Sequence, residues 1–452
     1  MSTRPQSAQL TLPRGAGGNA RALWIAVLAI ALTMAVVLTT SLWGFRVLAV
    51  FPALAVGLLL FKYPEVSFGA LMVIGTFKGA PELAAVPVDL TVLLLLVLLP
   101  ALAWRAWSRP IIPLPWELSL YIPIVFMMIL SLTYTPSLAG GLDKTARFII
   151  INGISILAPF VILDSPDRFK RFFLTLLAAS LAVSLMSLKG LGGYDRLASP
   201  TGDTIQLGHD AALGILIVWF GLLPRRKLYM RIFWYGLVGI MTVAMVGSGS
   251  RGPILGLVLA MLFSLVFGRR IGFTAPQLIF DIAILIAAAT ALLSVVPIPQ
   301  ASFKYIAQLT NIHSTRAFLG GRAELVNVGW RLTMEHPLLG VGVDGFPHVW
   351  TDVGNWPHSI PVELSSELGL GAALSFCILQ VLALWAAMKE FLSASDEWRM
   401  TASLIMCFMI LEAISMLNTG SVNDNRQLWV AISLAFVLRQ MRRVGWYYQY
   451  AG

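Results

Sequence analysis

Charged residues are scarce in this sequence: Asp, Glu, Lys and Arg make up 12% of its 452 residues, about half the roughly 25% of a soluble domain. Hydrophobic residues make up 58% and the mean hydropathy is +0.81. An ordinary soluble protein is thereby excluded, and a bilayer is the expected solvent. Cysteine is almost absent. Cys377 and Cys407 both fall in apolar runs, where they read as small packing residues, so no disulfide framework is implied. The chain also lacks H-E-x-x-H, a paired C-x-x-C, G-x-x-x-x-G-K-[ST] and G-x-S-x-G. Zinc hydrolysis, ATP-driven work and an α/β-hydrolase elbow are left without support. The external acids form no compact aspartate cluster of the kind that holds Mg²⁺. The expectation is an integral membrane protein with no metal, no cofactor and no nucleic-acid partner.

What is present is a long series of apolar runs. Bounded by Gly, Pro or charge, they predict fourteen spans near 23–41, 47–61, 66–77, 87–104, 116–133, 146–163, 171–188, 211–223, 232–247, 253–267, 277–296, 362–388, 400–417 and 427–438. Most are long enough to cross a hydrocarbon core about 30 Å thick. The second and third are short, so the expected fold is all-α, a polytopic membrane protein of about 12–14 transmembrane helices with one long external loop containing an amphipathic helix. The first run follows Arg4, Arg14 and Arg21. It exceeds the roughly 7–15 residues of a signal-peptide core and lacks a clean A-x-A-like site, so it reads as a retained span.

Twenty of the 32 Lys and Arg fall in segments that alternation puts on one side, including "DRFKRF", "PRRKLYMR" and "RQMRR". By the positive-inside rule that side is cytoplasmic and holds both termini. The net charge of +10 then follows mostly from topology. On this reading residues 1–22 are a cytoplasmic tail, 23–296 a transmembrane helix bundle, 297–358 a large external loop, 359–438 C-terminal transmembrane helices and 439–452 a second cytoplasmic tail. Nothing fixes an oligomeric state.

The long loop argues for function. "GRAELVNVGWRLTMEH" places Leu325, Val328, Leu332 and His336 at helical spacing and predicts an amphipathic helix, which Pro337 and the glycines of "PLLGVGVDGF" stop. In "VGSGSRGPILGLVL", Ser250 reads as a cap and Pro253 as a first-turn residue, so Arg251 would lie at the outward N-terminus of a membrane helix. Helix-end N–H groups and a guanidinium suit an anion, phosphate above all. An arginine snorkelling to the interface is the alternative. In "PHSIPVEL", His358 would stand where a second span begins, with Pro361 in the first turn. The helix dipole would favour its neutral form, able to take a proton from a hydroxyl. Asp352, Glu363 and Glu367 are close enough in sequence to orient it. Arg196, Arg316, Arg322 and Arg426 add external guanidiniums, while His209, His313, His336 and His348 read as ambiguous or structural.

The stretches "GSRGP", "GGRAELVNVGWRLTMEHPLLGVGVDGF" and "PHSIPVELSSELGLGAAL" resemble the O-antigen ligase and O-antigen polymerase superfamily of bacterial membrane proteins. The resemblance covers about residues 247 to 375, and the N-terminal half is similar in hydropathy only. It implies a glycosyltransferase of the inner membrane that takes a glycan from undecaprenyl diphosphate at the periplasmic face. In the ligase case the acceptor would be a sugar hydroxyl on the lipid A core, among membrane lipids. His358 is similar to the family's proposed base and Arg251 to its membrane-edge diphosphate arginine. The loop arginine falls on Arg322 or Arg316, with Arg322 favoured because it leads the helix, and Arg196 is a further addition. Ser359 departs from the amide expected after the histidine. A chain-extending polymerase, a ligase that glycosylates protein and, from a different class, a lipid-linked glycan flippase stay open. A transporter would work through midplane acids, for which Glu412 is the best candidate, Asp281 lying closer to the cytoplasmic end.

Overall fold

The structure, a computed structural model, describes residues 50–80, 89–224, 227–307, 322–349, 356–418 and 421–445. The expected first span at 23–41, together with His313, Arg316 and Asp352, lies outside the described residues. Helix α1 (Val50–Lys62) belongs to a separate compact unit that ends at Lys62, and everything below concerns residues from Tyr63 onward.

That unit is helical throughout, with no strand among the described residues. Its elements are α2 (Pro64–Val73), α3 (Leu90–Ser108), α4 (Tyr121–Ser131), α5 (Leu138–Arg147), α6 (Gly153–Ile162), α7 (Pro166–Ser187), α8 (Thr204–Leu216), α9 (Leu228–Ser248) and α10 (Arg251–Ile271). They continue as α11 (Ala275–Val295), α12 (Gln300–Ala307), α13 (Arg322–Glu335), α14 (Phe346–Val349), α15 (Ile360–Leu368), α16 (Leu370–Ser393), α17 (Arg399–Asn418) and α18 (Arg426–Arg443). Among the described residues eight helices, some of them runs through a π or 3₁₀ turn, are long and apolar enough to cross a membrane. The chain is therefore an all-α, multi-pass membrane protein.

Local chemistry sets the helix ends. Asp89 caps α3 by accepting from the Thr91 N–H at 2.7 Å. Asp203 caps α8 by accepting from the N–H groups of Ile205 and Gln206 at 2.7 and 3.1 Å, which satisfies two of the first-turn donors. Gly249 ends α9 with φ +61°, a left-handed conformation that favours glycine. Small residues then let helices approach, as expected where lipid supplies no hydrophobic drive. A Cβ on Gly256 of α10 would stand 2.8 Å from Leu411 Cδ1 of α17, and one on Gly214 of α8 would stand 2.8 Å from Ser180 Cβ of α7.

Two expectations change. The run 362–388 is not one span. Gly369, at φ +85°, separates the nine-residue α15 from α16, so His358 precedes a short helix rather than a membrane span. The predicted amphipathic helix is α13, with Leu325, Val328 and Leu332 buried against Phe346. His336 does not join that face. Pro337 ends the helix at Glu335, and His336 lies exposed in the turn that follows.

The same turn clamps onto the break between α15 and α16. Val341 and Gly342 donate to the carbonyls of Ser366 and Glu367, both at 2.9 Å, and Leu370 donates to the Pro337 carbonyl at 2.8 Å. Backbones come so close here that a Cβ on Gly340 would sit 2.2 Å from the Glu367 carbonyl carbon, and one on Gly369 would sit 2.2 Å from the Leu338 oxygen. The glycines of "HPLLG" and "ELG" are thus two halves of one crossing.

Candidate active site

Arg322 is the first residue of α13, and its position follows from how that helix docks. Gly329 leaves room for Val362 of α15, whose Cγ1 would lie 2.4 Å from a Cβ at 329. The hydroxyls of Thr333 and Ser365 meet at 2.9 Å. These contacts fix α13 on α15, whose N-cap is Ser359, and so bring Arg322 to His358. The charges record the proximity: Arg322 helps to lower the His358 pKa, and Arg251 and Arg196 help to lower that of Arg322.

Arg196 is tied to the turn before α10. Its Nε donates to the Ser248 carbonyl at 2.6 Å, its Nη2 donates to Ser250 Oγ at 3.2 Å, and its guanidinium lies 4.5 Å from the centroid of the Tyr305 ring. A Cβ on Gly249 would stand 3.1 Å from Arg196 Nε, so glycine there serves both the left-handed turn and the approach of the arginine. Ser250 occupies the N-cap position of α10 but makes no side-chain cap bond. Its hydroxyl donates instead to the Thr204 carbonyl at 2.9 Å, which corrects the expected cap and ties α10 to the start of α8. Arg251 is the first residue of α10 and Pro253 the third. The structure thus brings Arg196, Arg251, Arg322 and His358 into one neighbourhood, which the sequence could not establish across 162 positions.

His358 is one of two non-glycine residues with positive φ among the described residues, at +54°, a conformation that costs on the order of 1 kcal/mol or more and is often found at functional sites. Trp356 Nε1 donates to His358 Nδ1 at 3.0 Å, and the rings meet edge to face at 5.3 Å between centroids. An indole N–H can only donate, so the neutral imidazole carries its proton on Nε2. Burial first, then the Arg322 charge, pushes the His358 pKa down to about 4, against an opposing effect of Asp203. Burial is also the main cause that lowers the guanidinium pKa of Arg322 and Arg196.

Glu363 and Glu367, expected beside the histidine, turn to Lys144 of α5. Its Nζ lies 2.6 Å from an oxygen of each. Glu363 Oε2 also accepts from the Val422 N–H at 2.9 Å and Glu367 Oε2 from the Asp344 N–H at 3.1 Å. These carboxylates hold α15 in place rather than bonding the imidazole, which accepts from Trp356. Arg426 donates to the Leu71 carbonyl at 3.1 Å. The acids considered for transport are also engaged. Asp281 is bonded by Arg231 and Tyr235, and Glu412 Oε1 lies 2.8 Å from His209 Nε2. His348 Nε2 lies 3.9 Å from Asp344 Oδ2.

Residues 236–377 match a family model described as O-antigen ligase. This stretch is therefore similar to the O-antigen ligase family. The match supports the O-antigen ligase superfamily and suggests a membrane glycosyltransferase-like enzyme. Arg251, Arg322 and His358 fall inside the matched stretch and Arg196 lies outside it. No curated protein matches the chain.

Sequence reasoning missed Trp356, Asp203, Tyr305 and Lys144. Asp203 alone left a local signal, as an Asp before "TIQL" in the pattern of an N-cap. Among the described residues no group of three or more His, Cys, Asp or Glu is arranged to hold a metal ion, and the local positive charge is supplied by guanidiniums.

Proposed function

We propose that the protein is an O-antigen ligase that moves a glycan from undecaprenyl diphosphate to a sugar hydroxyl of the lipid A core, at the periplasmic face of the bacterial inner membrane, without a metal. The observation that carries this reading is the grouping of Arg196, Arg251 and Arg322 beside a neutral His358. Planar guanidiniums pair with phosphate oxygens at short range. Preorganised, they stabilise the charge that grows on the diphosphate as the glycosidic bond breaks, an effect worth about 10²–10³ in rate for one donor group.

The step is a direct displacement with inversion. The acceptor hydroxyl replaces the indole N–H at His358 Nδ1 and gives its proton to that nitrogen as the hydroxyl oxygen attacks the anomeric carbon. The bond from that carbon to the diphosphate oxygen breaks, and its electron pair leaves with the lipid diphosphate. The imidazolium so formed is disfavoured by the Arg322 charge. A bound diphosphate offsets that charge, so the donor itself makes His358 a better base.

Purified protein incubated with an undecaprenyl-diphosphate glycan and lipid A core, in the presence of chelator, should label the core. Longer lipid-linked chains with no labelled core would make the protein a polymerase. Loss of activity on chelation, restored by metal, would overturn the arginine account.

A further inference from the structure

His358 also lines a cavity of about 130 Å³ that none of the three arginines lines, among the described residues. Its walls are of different chemistry: carboxylates Asp203 and Asp424, amides Gln206, Asn425 and Gln427, and the indole of Trp356. Carboxylates repel a diphosphate, whereas carboxylates and amides together offer acceptors and donors to hydroxyl groups.

The amides on the floor are held in one orientation. Asp210 Oδ1 accepts from Gln206 Nε2 at 2.9 Å and from Gln427 Nε2 at 3.1 Å, and Asp210 Oδ2 accepts from Thr76 Oγ1 at 3.1 Å. A carboxylate turned to amides in this way takes their N–H groups, so Gln427 must present its nitrogen to Asp210 and keep its oxygen for another donor. Among the described residues that oxygen has no partner, although Gln427 is only 4% exposed. A buried acceptor left unpaired costs about 1–3 kcal/mol, and a ligand hydroxyl removes that cost. Asn425 stands at the N-cap position of α18 yet makes no side-chain cap bond.

We infer that this cavity is the acceptor subsite for a neutral, polyhydroxylated sugar ring. Gln427, Asn425 and Asp424 from the start of α18, with Gln206 from α8, take its hydroxyls and set one of them at His358. The inference rests on the ligase reading above and adds a division of labour to it. Attack with inversion puts the incoming and leaving oxygens on opposite sides of the anomeric carbon. The arginines mark the leaving side and the cavity marks the incoming one.

The test is two-substrate kinetics on the full-length protein in detergent, with lipid-diphosphate glycan and core oligosaccharide varied separately. Asn425→Ala and Gln427→Ala should each raise the acceptor KM roughly 3- to 10-fold, the loss of one hydrogen bond, and leave the donor KM unchanged. Arg322→Gln should do the reverse. Asn425 makes no side-chain cap bond to α18, so its variant remains informative if Gln427→Ala folds poorly. Wild-type transfer with an unchanged acceptor KM in Asn425→Ala would overturn the subsite alone. A wild type that transfers to no saccharide would overturn the ligase reading, and the subsite with it.

Discussion

Replacing Lys144 with Met removes the one cation between two buried acids. The Glu363 and Glu367 side chains are 1% and 3% exposed and that of Lys144 12%, with both contacts at 2.6 Å. Met matches the length of the lysine stem, so the change is mostly electrostatic. Breaking a buried ion pair by deleting one partner costs about 3–5 kcal/mol, because the remaining charge is left uncompensated. Two carboxylates share this lysine, but each keeps a backbone donor, from Val422 and Asp344, so the two losses do not simply add. The account places the cost at about 3–5 kcal/mol, enough to lower Tm by several degrees. Thermal unfolding of purified protein in detergent measures it. Combining Lys144→Met with Glu363→Gln and Glu367→Gln should recover most of the loss, since neutral amides need no cation. The three changes act on one network and must be non-additive. A Lys144→Met variant that unfolds within about 1 °C of wild type would refute this account of what holds α15, and with it the reason His358 stands where it does.

Three further outcomes follow from the same geometry. A base must be neutral, and His358 is neutral above about pH 4; kcat/KM should therefore fall only as pH drops through about 4, with about one molecule in a thousand protonated at pH 7. The acid limb of kcat should lie at higher pH, because bound diphosphate offsets Arg322, and Arg322→Gln should move the kcat/KM limb upward as well. Trp356→Phe keeps the ring but removes the donor to Nδ1, so kcat should stay within about threefold of wild type; a variant as inactive as His358→Ala would mean that the indole takes part in chemistry. Gly340→Ala and Gly369→Ala place a Cβ 2.2 Å from backbone atoms at φ +68° and +85° and should destabilise by more than about 1 kcal/mol, while Gly371→Ala, which meets nothing within 4 Å, should unfold like wild type.

The sequence carried the fold class because composition and run length decide it, and α10 and α17 follow the expected spans closely. It hid the break at Gly369, since the chain from Leu368 to Leu374 is small or apolar on both sides of the glycine. What stops the helix is a distant backbone, the Leu338 carbonyl. The start of α8 was missed by several residues. Asp203 begins that helix, which turns His209 and Asp210 inward, where Glu412 and Gln427 meet them. The arginines were readable as external cations beside helix starts. Glu367 was misread because its partner, Lys144, is 223 positions away and no local pattern joins them. Trp356 was missed because nothing in a tryptophan two residues before a histidine says that its N–H turns back to the ring.

The most direct measurement separates donor binding from turnover. Binding of an undecaprenyl-diphosphate glycan to purified protein should be compared with single-turnover transfer to lipid A core, in wild type, His358→Ala and Arg322→Gln. The account predicts that His358→Ala binds donor like wild type but transfers nothing, while Arg322→Gln binds donor more weakly. Transfer by His358→Ala at the wild-type rate, or donor binding indifferent to Arg322, would contradict it.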